Sequence, residues 1–448
     1  VTETARRNAL GGQALLQSLR ELGLRELVIS PGSRSTPLTL AAAEDPGLRC
    51  YFELDERAAA FVALGLAKAT GRAAALICSS GSAPGHYLPA LIEARAAGLP
   101  MLVLSADRPP ELQGCGAPQA VSQRRLYGDH VKLSIDPGPP DPAQSPAVLA
   151  RLAAQAWHAA HEGQPGPVQL NLPYRKPLWE AASAAPGELK ELRVPRVLRG
   201  HIAPSKEILR ELRESIGRGR QGLIICGPRP RFEIAEGQAI AALAERLAWP
   251  LIADADSPLR SLPGARAILH ADLLLRDPEL AARLRPELLL RFGAVPTSSA
   301  VQGFIAELDC EQILVEASGQ ILDPAAKASL VIAAEPTLLA RELSEALESS
   351  KSQDWRELWW RADEAAERVL AADHGPRFEG SIARALLARM PEGAALQLAS
   401  SLSIRAVEAF GGAPSGLLRI TANRGANGID GCLATTRGLA LANPETPT

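Results

Sequence analysis

The chain has 448 residues, 46% of them hydrophobic and 22% charged, with a formal net charge of −2. That is apolar material for about two to four domain cores. The near-zero charge excludes bulk attraction to nucleic acid or to an anionic membrane, and no apolar run reaches the length of a transmembrane helix.

The first thirty residues lack the apolar stretch of a signal peptide. Six cysteines are scattered without a C-x-x-C pair, several of them in strand-like runs. Free thiols in a reducing cytosol are therefore expected. The seven histidines form no metal-ligand pattern. His158 and His161 lie three apart on a helix, but no third ligand accompanies them, so zinc is not expected.

In chain order, residues 8–22 read as an amphipathic helix with Leu15, Leu16, Leu19 and Leu22 on one side and Gly23 as its stop. Glu26–Ser30 is a short strand running into the loop Pro31-Gly-Ser-Arg-Ser35. The stretch from Leu54 to Gly71 reads as one alanine-rich helix, with Asp55 and Glu56 at the end where the helix dipole favours negative charge. Buried strands follow at Ala73–Ser79, Met101–Ser105 and Pro167–Leu172, with helices through Ile92 and over 147–161. Continuous apolar strands alternating with helices indicate a parallel sheet.

A second α/β unit has strands at Gly222–Cys226, Pro250–Ala253, Glu287–Arg291, Gln312–Val315 and Leu330–Ala333, and a helix over 234–247. A charged helix over 350–368 presents Trp355, Trp359 and Trp360 on one apolar face, which reads as a packing seam. A third unit opens near Gly380 with a helix to Met390. It adds strands at Ala395–Leu398 and Leu417–Ile420 and a helix over 431–441. The expected organisation is 1–185, 186–350, a linker helix over 351–379, and the start of a further domain over 380–448.

Five segments stand out in this order: Ile29-Ser-Pro-Gly-Ser-Arg-Ser-Thr-Pro37, the helix opening at Asp55-Glu56, Ser79-Ser-Gly-Ser-Ala83, Ala106-Asp-Arg-Pro-Pro-Glu-Leu112 and Asn423-Arg-Gly-Ala-Asn-Gly-Ile-Asp-Gly431. Arg34, Arg108, Arg405 and Arg424 each follow a predicted strand on a short loop. That pattern suits a pocket for polyanions, because a guanidinium fork matches a carboxylate. Together the segments resemble one family: the thiamine-diphosphate (ThDP)-dependent 2-succinyl-5-enolpyruvyl-6-hydroxy-3-cyclohexene-1-carboxylate synthases of menaquinone biosynthesis, the MenD family.

The resemblance implies a three-domain ThDP-enzyme architecture of parallel sheets flanked by helices, with the third domain incomplete in this chain. It implies ThDP with Mg²⁺ (or Mn²⁺) as cofactors. It implies decarboxylation of 2-oxoglutarate and conjugate addition of the succinyl-semialdehyde carbanion to isochorismate. By position, Glu56 would hydrogen-bond the cofactor's aminopyrimidine and promote its reactive tautomer. Gly81 and Ser82 would face the cofactor and Ile429 would prop it in a bent conformation. Ser33, Arg34, Arg108, Gln119, Ser401, Arg405 and Arg424 would contact substrate. A cytoplasmic homodimer or homotetramer with sites between subunits is expected, with no nucleic acid partner and no membrane span.

This sequence departs from the family pattern at Ser299, His86 and Ser400. The Gly-Asp and Asn that would hold the metal are not found before Thr448, so those ligands are expected beyond it, in a longer reading frame of which this chain is a fragment. Alternatives are a different ThDP-dependent 2-oxo acid decarboxylase or carboligase, and a non-catalytic truncated chain unable to hold Mg-ThDP. A Rossmann-type nucleotide binder ranks low, since no strand is followed by Gly-x-Gly-x-x-Gly.

Overall fold

A computed structural model describes residues 1–181, 189, 192–217, 221–229, 231, 233–348, 354–372, 374–375 and 377–448. The boundary expected at 185/186 and the first residues of the expected linker helix lie outside them. The chain forms two compact units. One comprises Val1–Arg199 with Asn423–Pro444, the other Gly200–Ala422 with Glu445–Thr448. Among the described residues no helix is long and apolar enough to cross a membrane.

The first unit is built on strands β1 (Glu26–Ile29), β2 (Arg49–Phe52), β3 (Ala74–Cys78), β4 (Met101–Asp107), β5 (Leu133–Ile135) and β6 (Pro167–Pro173). They pair in parallel in the order β2-β1-β3-β4-β6-β5. The period-two alternation of a strand divides its side chains between two layers. Leu27, Ile29, Ala75, Ile77, Leu102 and Leu104 enter one core, with Leu15, Leu16 and Leu19 of α1 (Glu3–Leu22), Leu38 of α2 (Thr36–Glu44) and Trp157 of α5 (Pro146–His161). Val28, Ala74, Leu76, Cys78, Met101 and Val103 enter the other. There they meet α3 (Glu56–Thr70) and α4 (Leu88–Ala97). Both faces are covered, which is why these strands read as unbroken apolar runs.

Helix α1 begins at Glu3, five residues before the expected start, because the Thr2 hydroxyl caps it by accepting from the Ala5 amide. Asp55 caps α3, and Gly71 ends it in the left-handed conformation at φ 67°. Sequence reading missed α2, β2 and β5. Strand β2 has no apolar run to reveal it, since Arg49-Cys-Tyr-Phe52 is an edge strand that stays partly exposed.

The second unit holds β7 (Gly222–Cys226), β8 (Leu251–Ala253), β9 (Leu288–Phe292), β10 (Glu311–Val315) and β11 (Leu330–Ile332), parallel in the order β11-β10-β9-β7-β8. Around them lie α6 (Lys206–Ile216), α7 (Ile234–Leu247), the short α8 (Ala271–Leu274) and α9 (Pro278–Arg283), α10 (Ser299–Glu307) and α11 (Pro336–Ala346). Helix α12 (Asp354–Leu370) buries Trp355 and Trp359 against this unit, and the Trp355 indole donates to the Gly222 carbonyl at 2.8 Å. The tryptophan face is thus a packing seam. The unit continues through α13 (Glu379–Arg389), β12 (Ala395–Leu398), α14 (Leu402–Phe410) and β13 (Arg419–Ala422), with β12 and β13 paired in parallel.

After β13 the chain rejoins the first unit as α15 (Cys432–Ala442), which packs on α3. The crossing is backbone to backbone. A Cβ on Gly65 would lie 2.1 Å from the Thr435 carbonyl oxygen, and one on Gly438 would lie 2.1 Å from that of Val62.

Candidate active site

In an open parallel sheet, ligands bind beyond the carboxyl ends of the strands, where the strand order reverses. In the first unit that point lies between β1 and β3. The loops leaving β1, β3, β4 and β6, with the start of α3 after β2, line one cavity of about 440 Å³. Its wall carries Ser33 and Arg34, then Glu56, then Ser79, Ser80, Ser82 and His86, then Arg108, Gln119 and Lys176.

Glu56 is the first residue of α3, half-buried, immediately after the Asp55 cap. Asp55 accepts from the Ala58 amide at 3.0 Å, and that bond holds its carboxyl below the usual range. Arg34 is buried and donates from Nη1 to the Tyr174 carbonyl at 2.7 Å, while its Nε is buried without a hydrogen-bond partner. Burial, and next the neighbouring Arg108, press its pKa below the ordinary arginine value. Two guanidinium groups held together on a cavity wall favour a bound anion.

Arg108 is a brace. Its Nη1 donates to Ser80 Oγ at 2.8 Å, its Nη2 to Gln119 Oε1 at 2.9 Å and its Nε to the Pro118 carbonyl at 3.2 Å. Gln119 adopts φ 58°, rare for a residue with a side chain, and packs against Gly81, itself at φ 90°. The Gly81 amide donates to Gln123 Oε1 at 2.9 Å, and Gln123 in turn donates to Asn171 Oδ1 at 3.0 Å. Asn171 donates to Asp107 Oδ2 at 2.8 Å. Burial raises the Asp107 carboxyl, against the opposing effect of these bonds. A buried polar lattice thus fixes the loops after β3 and β4 from beneath. Nearby, burial pushes the Cys78 thiol up to about 12, which removes it as a nucleophile.

The cavity brings together Ser33, Arg34, Glu56, Ser82, Arg108 and Gln119, with Gly81 abutting Gln119. Arg424 and Ile429 also belong to the first unit but do not line this cavity. Their loop is pinned by the buried Glu93 of α4, whose two oxygens accept from the amides of Gly425 and Ala426 at 2.8 and 2.7 Å. Ile429 is 73% exposed. Ser401 and Arg405 lie at the start of α14 in the second unit, both exposed. In that unit the Thr297 and Ser298 hydroxyls donate to Asp254 and Asp272. Among the described residues no group of three or more His, Cys, Asp or Glu side chains is placed to hold a metal ion.

Sequence reading missed Gln123, Asn171, Glu93 and Lys176. The first three act on partners far along the chain, and only the Pro-rich exit after β6 marked the last.

Residues 10–130 match the model of the thiamine pyrophosphate enzyme N-terminal TPP-binding domain, and residues 199–398 match that of the thiamine pyrophosphate middle domain. The first match contains the cavity's β1, β3 and β4 loops and Glu56. Over 96% of its length the chain is 39% identical to the 2-succinyl-5-enolpyruvyl-6-hydroxy-3-cyclohexene-1-carboxylate synthase of Geobacillus kaustophilus, spanning 76% of that protein. It is 36% identical to the synthases of the same name from Dechloromonas aromatica and Myxococcus xanthus, over 99% of its length in each case and 80% and 77% of theirs. The chain belongs to this synthase family. It is therefore a ThDP-type enzyme, and the α/β architecture expected from its motifs is the one observed. In this synthase the glutamate-bearing helix, the two braced arginines and the serine loops all converge on the carboxyl edge of one sheet.

Proposed function

We propose that the protein decarboxylates 2-oxoglutarate and joins the resulting four-carbon unit to isochorismate in menaquinone biosynthesis. The observation that carries this reading is the placement of Glu56 in one cavity with Arg34 and Arg108. A carboxylate and several serine hydroxyls suit the amino group and ring nitrogens of an aminopyrimidine, so the wall fits ThDP. When bound, ThDP supplies a carbon nucleophile and a sink for the electron pair left by departing CO₂. Glu56 holds the proton shared with the pyrimidine ring. Arg34, through its inward guanidinium, and Arg108, through the Gln119 and Ser80 it braces, orient substrate carboxylates, and orientation can account for much of the rate. Arg405, Ser401 and Arg424 are proposed to complete the substrate contacts, and Ile429 the cofactor's support. The described residues offer no cluster of His, Cys, Asp or Glu side chains that would hold Mg²⁺.

A homodimer or homotetramer is proposed as the working form. Phe52, Leu54, Ile429 and Leu433 of the first unit are 61%, 87%, 73% and 87% exposed, an apolar set around the start of α3 that suits a subunit contact. The six cysteines, scattered with no C-x-x-C pair, suit a cytosolic setting.

The test is Glu56→Gln in the purified protein, assayed for isochorismate-dependent CO₂ release from 2-oxoglutarate. Turnover should fall by about 10²–10⁴-fold, the usual contribution of a positioned acid–base group. Unchanged turnover would overturn the assignment. Equal turnover with pyruvate in place of 2-oxoglutarate would overturn the substrate.

A further inference from the structure

The segment leaving β6 is held down at several points. The Tyr174 carbonyl accepts from Arg34 at 2.7 Å. Buried Asn8 of α1 donates to the carbonyls of Arg175 and Pro177 at 2.9 and 3.0 Å, clamping the backbone on either side of residue 176. Arg175 forms a two-pronged pair with Glu111, its Nε at 2.7 Å and its Nη2 at 3.0 Å. Between these anchors, Lys176 lines the cavity beside Arg34, Glu56 and Arg108.

The three cations of the wall are not equivalent. Arg108 has every guanidinium nitrogen bonded to protein. Arg34 holds the Tyr174 carbonyl. Lys176 makes no hydrogen bond or ion pair with any described residue, although Glu56 shares its cavity. An ammonium on a clamped backbone is a point charge with three donors available. Among the described residues Glu56 is the one carboxylate lining the cavity, and Asp107 acts on Arg34 from beneath; against three cations these two acids leave surplus positive charge where an anion would be taken up.

We infer that Lys176 is a substrate-positioning residue that binds a carboxylate of one of the two acids, with Arg34 and Arg108 shaping the wall around it. This inference rests on the function proposed above and deepens it. It places one substrate carboxylate against the end of β6 rather than against the loops after β1, β3 and β4.

The test compares wild type with Lys176→Met and Lys176→Arg, measuring KM and kcat for each acid and, separately, calorimetric binding of malonate as a small dicarboxylate. The Met variant should raise KM for one acid at least fivefold with kcat within twofold, as expected for lost binding shared by ground and transition states. The Arg variant should restore KM to within threefold. A fall in kcat with both KM values unchanged, or a defect that Arg does not rescue, overturns the inference in favour of a structural role. Unchanged kinetics overturn it as well. If wild type shows no turnover of these substrates, the proposed function fails by itself, and malonate then decides on Lys176. A fivefold weaker Kd in the Met variant upholds the inference, and equal or undetectable binding in both proteins overturns it.

Discussion

Arg260 and Glu408 face each other in the second unit, each at most 5% exposed, with Nη1 and Oε2 3.6 Å apart. Arg260 also donates from Nη2 to the carbonyls of Val407 and Gly411 at 2.7 and 2.5 Å, closing the last turn of α14. Burial, and next the charge of Asp254, push the Glu408 carboxyl well above its ordinary value, against the pull of Arg260. A carboxyl raised in the folded state contributes stability below its unfolded pKa, about 4.3, and that contribution is lost as pH rises through the folded value. Glu408→Gln removes this titration, so its Tm relative to wild type should rise as pH is raised, measured by thermal unfolding across the acid-to-neutral range. Arg260→Met leaves two carbonyls without their donor and the buried Glu408 without its facing cation. It should cost about 3–5 kcal/mol in denaturant unfolding. At this scale the sequence was informative where a residue sits inside a local motif. Glu56, Arg34 and Arg108 each stand within a few residues of a strand end and meet in the cavity. Glu93 was not legible, because the amides it holds lie 332 and 333 residues further on.

Among the elements, α3 organises the first unit. Its residues from Ala59 to Lys68 are all buried, so it is enclosed on every side rather than amphipathic. On one side stands the crossing with α15, where Gly65 and Gly438 leave no room for a methyl group. Gly438→Ala should destabilise the protein by about 1–3 kcal/mol, the usual cost of overpacking, read as a lower urea midpoint with an unchanged slope. Helix propensity alone predicts the opposite sign. The apolar strands and long helices were readable because each buries a full face or both faces. The α14 helix was not, since Ser401, Leu402, Ser403 and Arg405 at its start are exposed and only Ile404, Val407, Glu408 and Ala409 face inward. A loop label fitted that opening equally well.

For the molecule as a whole, the arrangement of units differs from a simple succession of domains. The first unit is assembled from Val1–Arg199 and Asn423–Pro444, with the second unit's residues intervening. Periodicity could not reveal this, because the return of the chain depends on a contact between α3 and α15 rather than on any local pattern. The proposed oligomer makes its own prediction. Leu433 is 87% exposed, so Leu433→Asp should leave the fold intact, and sedimentation should shift toward the monomer. An unchanged sedimentation coefficient would remove this face from the contact.

The crossing of α3 and α15 also sets an order of events at the ribosome. Translation finishes α3 at Thr70, but the helix that closes over Gly65 begins only at Cys432, roughly 360 residues later. At ordinary elongation rates that is a delay on the order of twenty to seventy seconds. While the second unit is being made, the first unit lacks only its closing segment Asn423–Pro444, and the groove along Gly65 is uncovered. The cavity that holds Glu56 is therefore assembled on a scaffold that is sealed only late in the synthesis of the chain.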